Sequence, residues 1–211
     1  MRTCAISLLI SAFVGLWSCG DGVEKRVETT DDGMITVEYY VKKGTDIKHG
    51  PLIRREKDGT LLEESHYVDG RLNGEKRLYY KGKLYSVMHY VNDTPHGKFI
   101  SYFQGTDVVH QEGQYVRGKM EGKWKTYYPS GKLKEVVTFV DNEENGPFVE
   151  YYDNGKIKAE GTYKDGDNEH GLLLLYNPFG VLYKKMQCDH GKCRTIWLRH
   201  KGDVEGEEVE Q

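Results

Sequence analysis

Proline is scarce in this chain, at 5 of 211 residues, and tryptophan scarcer still, at 3. So few prolines exclude a collagen-like or proline-rich linker architecture. Apolar residues make up only 37%, less than an ordinary globular interior draws on. Beyond Trp17 there is no long hydrophobic run, which excludes a spanning helix from that part of the chain. A surplus of positive charge is missing as well. The net charge of -3 gives no electrostatic case for nucleic acid, so no nucleic-acid partner is expected. No segment past the N-terminal leader holds a helical period with caps at its ends. The phosphate-binding loop, the HExxH zinc helix, the GxSxG elbow and the dinucleotide fingerprint are all absent. The chain is therefore expected to be non-enzymatic, with no catalytic residue, cofactor or metal.

What is present is tyrosine, with 16 residues, and glycine, with 25. An aromatic share of 12% is unlike a disordered chain. Tyrosine together with glycine reads as half-buried strands joined by tight turns. A repeat organises them. Glycines read as the ends of loops, Gly50, Gly74, Gly97, Gly122, Gly146 and Gly171, recur at spacings of 23 to 25 residues. A fixed period in the twenties means an array of small supersecondary units. Two residues after each glycine stand Leu52, Lys76, Phe99, Trp124, Phe148 and Leu173, and Trp197 continues the series. Five residues after each stand Arg55, Tyr79, Tyr102, Tyr127, Tyr151 and Tyr176, then His200. A second glycine marks the middle of each unit, as in Gly131 and Gly155, and Leu133 and Ile157 follow it. Asp107 breaks that last series through a one-residue insertion in GTDVV. Each unit closes on Tyr67, Tyr90, Tyr115, Phe139 or Tyr163, with Cys188 in the sixth place. A run of such residues bounded by Gly, Asp, Asn and Pro is a strand between turns. The expected fold is all-β, with two strands per unit, six units from near Gly50 onward and a half unit at each end. The front half lies over residues 34–41. About thirteen strands at ~4.8 Å make a body on the order of 60 Å long.

Gly122, Trp124, Tyr127, Tyr128, Gly131, Leu133 and Lys134 follow the order G-x-W-x-x-Y-Y-x-x-G-x-[LI]-K-like spacing of the MORN repeat variant, which this stretch resembles. The resemblance runs from Gly50 to about Arg194. It is strongest from Gly122 to Lys164 and loosest in the first unit, where Leu52 and Arg55 replace the aromatics. Many bacterial proteins of this type are labelled YwqK-family antitoxins. The resemblance implies stacked antiparallel hairpins in an elongated, twisted, single-layer sheet. It also implies a scaffolding or binding role and no shared catalytic residues.

The N-terminus is a separate object. Arg2 precedes an apolar run from Ala5 to Trp17, too short to span a bilayer but suited to a signal peptide over residues 1–18. Leu16-Trp17-Ser18-Cys19 resembles a bacterial lipobox, which implies lipid on Cys19. The alternatives are a plain cleaved signal with an incidental cysteine, or a short anchor. Residues 19–33 are polar and read as a tether, residues 34–201 as the repeat domain, and residues 202–211 as an acidic tail. The implied location is the bacterial cell envelope, with the membrane as partner through the lipid, facing periplasm or cell surface.

Cys188 and Cys193 stand in CDHGKC, on either side of a His-Gly turn. An exported chain meets an oxidising compartment, and cysteines flanking a hairpin turn come within bridging distance. A disulfide is expected. The rival is a metal site with His190, but zinc takes four ligands and this segment offers three at most.

Positions two and five after the repeat glycine have opposite parity, so they face opposite sides of a strand. Tyrosine suits an uncovered layer, because its ring covers area while its hydroxyl stays wet. The column Tyr79, Tyr102, Tyr127, Tyr151 and Tyr176 is the candidate binding face, for a protein or an extended glycan or peptide. Its plainer role is holding strands together. His49, His96 and His170 each precede a repeat glycine, and one repeat phase points to turn packing rather than catalysis. Three functions follow. A repeat lipoprotein that binds or scaffolds at the envelope comes first. An antitoxin is second, although an export signal argues against a cytoplasmic target. A cell-wall or glycan-binding module is third, weakened by the presence of only Trp124 and Trp197 after the leader.

Overall fold

A computed structural model describes residues 22–200 together with the two-residue strand Glu207–Glu208. The first strands are β1 (Val23–Thr29), β2 (Ile35–Lys42), β3 (Lys48–Glu56), β4 (Leu61–Val68) and the short β5 (Arg71–Leu72). Then come β6 (Gly74–Tyr80), β7 (Lys83–Val91), β8 (Thr94–Tyr102), β9 (Val109–Val116), β10 (Lys119–Tyr127) and β11 (Leu133–Val140). The last are β12 (Glu143–Tyr151), β13 (Ile157–Tyr163), β14 (Gly171–Tyr176), β15 (Leu182–Asp189), β16 (Lys192–Leu198) and β17 (Glu207–Glu208). No helix occurs among the described residues. All pairings are antiparallel and follow chain order, from β1–β2 through β9–β10 to β16–β17. Both β5 and β6 lie against β4, as one strand interrupted at Asn73. The result is one open meander.

Two kinds of turn alternate along it. On one side the link is two residues, both with positive φ, as at Asn92-Asp93 (49° and 67°) and Asp141-Asn142 (56° and 76°). That is the turn whose twist matches the strands, and Asn and Asp bear it best. On the other side the link is longer and ends in a glycine. Gly131 N–H donates to Tyr128 O at 2.8 Å, and Tyr128 N–H to Lys132 O at 2.8 Å. The β8–β9 link carries the expected insertion: Tyr102 pairs with Val109, where Tyr127 pairs with Leu133.

Besides a strand count of seventeen against the expected thirteen or so, the structure differs from the sequence reading in two places. Residues 23–29, read as part of a polar tether, form β1 and pair with β2 over their whole length. The backbone ladder makes this pairing, and exposed ion pairs accompany it, with Lys25 Nζ 2.7 Å from Glu38 and Arg26 held between Glu24 and Asp46. A charged strand also suits the edge of a sheet, where it discourages further pairing. The repeat glycines are the second difference. They read as loop ends, but Gly50, Gly97, Gly122 and Gly146 lie inside β3, β8, β10 and β12. Registers shift there, for example between Met88 and Tyr90 opposite Gly97. The glycine marks a β-bulge, and the bulge takes a positive φ.

The position-two residues and the unit-closing aromatics share one face. Val137 lies between Trp124 and Phe148, and Phe148 opposite Gly161. Val137, Phe148, Ala159, Leu173 and Cys188 form one buried cluster; Tyr39, Val41 and Leu52 form a second near the other end. Between them Trp124 is 2% exposed and meets Phe99, Tyr115 and Phe139 at ring-centroid distances of 5.6, 5.2 and 6.0 Å. Lys76, the polar member of its series, is answered by buried Glu63. Its Nζ lies 3.1 Å from Glu63 Oε1, and Arg54 approaches the other oxygen at 3.4 Å. A buried carboxylate is tolerable only when paired in this way.

Cys188 and Cys193 are directly opposed on β15 and β16 and joined by a disulfide, with Cα atoms 4.0 Å apart. The closed loop is short, so its reduction is expected to cost about 2 kcal/mol. Urea unfolding with and without a reductant measures this, and an unchanged midpoint would reject it.

Candidate functional site

Tyr79, Tyr102, Tyr127, Tyr151 and Tyr176 are all half-buried, each near the end of its strand. Their face is the one opposite the buried cluster. Lys125, the neighbour of Trp124, pairs with Glu112, and the Tyr127 hydroxyl donates to Glu112 Oε1 at 2.7 Å. The same bond recurs from Tyr79 to Glu64 at 2.6 Å and from Tyr176 to Glu160 at 2.5 Å. The positions that correspond to these glutamates beside Tyr102 and Tyr151 hold Val87 and Val136. Glutamate and valine thus alternate from unit to unit. The sequence reading missed these glutamates, although a period of two units was there to be seen. In Tyr127-Tyr128 and Tyr151-Tyr152 the second tyrosine crosses units: the Tyr128 hydroxyl donates to Tyr151 O at 2.7 Å, and Tyr152 to Tyr176 O at 2.8 Å.

Burial first, then the hydrogen bond to glutamate, pushes Tyr79, Tyr127 and Tyr176 up to about 12 from 10.0. Tyr127 and Lys125 together hold the Glu112 carboxyl below its usual range. A raised phenol favours the protonated native state. That contribution is whole below the unfolded value near 10 and is lost as pH rises through about 12. Native protein is therefore expected to form less tyrosinate than urea-denatured protein between pH 10 and 12, read by ultraviolet absorbance. Superimposable curves would refute it.

The histidines before the repeat glycines touch the next hairpin. His49 Nδ1 lies 3.0 Å from Asp69 Oδ1, and His96 Nδ1 accepts the Arg117 N–H at 3.3 Å. His170 Nδ1 is 3.3 Å from Asp189 Oδ1. Turn residues do the same: Met120 N–H donates to Asn142 Oδ1 at 2.7 Å, and Leu72 N–H to Asp93 Oδ1 at 2.7 Å. Near the C-terminal end the tyrosine-bearing face also shows an apolar stretch. A shallow depression there is lined by Pro147, Val149, Thr162, Leu172 and Leu174. Leu172 is 49% exposed, and Phe179, on the β14–β15 turn, 84%. Cys19 and the leader lie outside the described residues.

The sheet offers flat rings, paired carboxylates and open edges, which is the chemistry of contact over a long surface. Comparison with curated proteins finds no match. The MORN repeat variant family matches two stretches, residues 120–141 and 144–165. The first spans the β10–β11 hairpin and the second the β12–β13 hairpin. Repeats of this family are generally non-catalytic modules that bind proteins or membranes. Two consecutive MORN repeat variant units therefore lie at residues 120–165, within a β-hairpin array that continues on both sides of them.

Proposed function

We propose that this chain is a non-enzymatic repeat lipoprotein that binds or scaffolds a partner at the bacterial cell envelope, tethered through lipid on Cys19. The observation that carries the reading is the tyrosine-bearing face of the meander, continuous from Tyr79 to Tyr176. Rings recur at half-buried positions in five of the six units, and three of them are fixed by glutamates. Fixed rings lose little rotamer freedom when a partner settles on them, which favours binding. The partner that fits is extended: a protein segment, a peptide or a glycan lying across successive strands. The two-unit alternation gives the face a charge pattern as well as a ring pattern, so that the polar partner groups would meet Glu64, Glu112 and Glu160.

Cys19→Ala is expected to move the protein from the membrane pellet to the soluble fraction or to leave it unprocessed. Normal processing and retention would remove the lipid from the proposal, and cytoplasmic wild-type protein would favour an antitoxin. Envelope extracts passed over tagged protein test the face. Replacing Tyr127 and Tyr151 together by Phe keeps the rings and is expected to keep capture. Replacing both by Ser is expected to abolish capture, while each lost cross-strand contact costs only about 0.2–1 kcal/mol of stability. Unchanged capture by the folded Ser variant would take the column out of the binding surface.

A further inference from the structure

The corner between the β13–β14 link and the β15–β16 turn brings together side chains that no other unit assembles. His170, Asp189 and His190 each offer a donor atom, and these atoms all lie within 4.8 Å of one another. Among the described residues this is the one convergence of its kind. His190 Nδ1 is 2.7 Å from Asp189 Oδ1, and His170 Nδ1 is 3.3 Å from the same oxygen. The two imidazole rings meet edge to face, with centroids 5.1 Å apart. His170 Nδ1 is shut off from solvent and has no hydrogen bond of acceptable geometry. A buried ring nitrogen without a partner is costly and calls for one.

We propose that this corner is a binding site for a divalent ion of the zinc, nickel and copper group, with His170, His190 and Asp189 as protein ligands and a fourth position open to water or a partner's donor. Imidazole nitrogens select that group of ions, and two imidazoles with one carboxylate form a known type of open zinc site. Tetrahedral ligands at ~2.0–2.1 Å from an ion stand ~3.4 Å apart. The spacing of 3.3 Å is already near that value and the spacing of 2.7 Å falls below it, so small side-chain rotations that part His190 from Asp189 complete the set. Asp165 Oδ2, 3.5 Å from His190 Nε2, orients the second ring from its far nitrogen, as outer carboxylates do for metal-bound histidine. The C-terminal hairpin is braced on the adjoining strands by the Cys188–Cys193 disulfide, so the two donors it carries are held on a rigid turn.

The other units act as internal controls. At the first, Asp69 takes Lys42 Nζ at 2.7 Å beside His49, so a side-chain cation already occupies the carboxylate. At the third, His96 Nδ1 is engaged by a backbone N–H. In the last unit the turn residue is itself a histidine, and Lys164 acts on Asp189 only at longer range. This inference does not depend on the proposed binding function.

Cobalt(II) and zinc(II) titrations of the purified, oxidised full chain test it. The expected result is one ion per chain, the visible spectrum of a nitrogen–oxygen cobalt site, and a rise in melting temperature with the ion. His170→Gln and His190→Gln are each expected to weaken binding at least tenfold, and Asp189→Asn to do so without disturbing the turn. His96→Gln should leave binding unchanged. Melting curves of the ion-free variants confirm that each is folded. No saturable uptake by the wild type, equal affinity in the folded histidine variants, or a thiolate charge-transfer band placing the ion on cysteine would each overturn the proposal.

Discussion

Trp124→Ala is expected to lower the unfolding free energy by about 3–5 kcal/mol, the cost of emptying an aromatic site in a packed core. Trp124 stands where Phe99, Tyr115 and Phe139 converge, and its ring lies on Gly113. A Cβ added at Gly113 would come within 2.2 Å of that ring, so the glycine is the floor on which the indole rests. Trp124 also joins the two ends of the buried face, since one cluster is centred on Leu52 and the other on Phe148. Units in such an array couple only to their neighbours. Loss of Trp124 should therefore broaden or divide the urea transition as well as shift it. Trp124→Phe separates volume from polarity. The indole Nε1 has no hydrogen-bond partner, so its removal forfeits no bond and the phenyl ring keeps most of the contacts. Circular dichroism during urea unfolding measures both variants. A loss below about 1 kcal/mol for Trp124→Ala would show that the central aromatics do not carry the array.

Gly146→Ala is expected to be the next most costly change. Gly146 has φ 127°, a region that side chains other than glycine's rarely enter, and such strain costs about 1–3 kcal/mol. Its added Cβ would also stand 3.1 Å from both Cβ and Cγ2 of Thr138. Gly155→Ala isolates the backbone part, because Gly155 has φ 84° and open space around it. That change is expected to cost about 1–2 kcal/mol. Combining Gly146→Ala with Thr138→Ala removes Cγ2 but keeps the Cβ of residue 138, so it should recover only the Cγ2 part of the crowding, as a coupling measured by a double-mutant cycle. Equal losses at Gly146 and Gly155 would mean that the bulge is not crowded.

The all-β hairpin array was legible because each unit repeats its turn chemistry and its two aromatic columns in phase. Tyr127 and Tyr151 could be placed on the face opposite Trp124 and Phe148 by parity alone. β1 was hidden for a physical reason: VEKRVET is polar enough to pass for a tether, and its backbone ladder with β2 and the ion pairs to Glu38 and Asp46 have no local signature. The bulge glycines were misread as loop ends because a glycine looks alike in sequence in either setting; only the register shows the difference. Of the candidate face, the rings were visible and the glutamates beneath them were not. Of the corner, His190 was weighed as a ligand beside the cysteines, but its meeting with His170 was out of reach, because the two come from different hairpins and meet only when the strands stack.

The meander has a mechanical consequence. Each strand is bonded only to the strands before and after it, and the chain enters at one end of the sheet and leaves at the other. A tensile load applied between the two termini acts across the strands, so hydrogen bonds part in succession rather than in shear. One unit of about 24 residues pays out on the order of 80 Å of extended chain when it opens. The aromatic contacts at Trp124 and Phe148 would then be the points of highest resistance along an extensible linkage, whose remaining units stay folded while one yields.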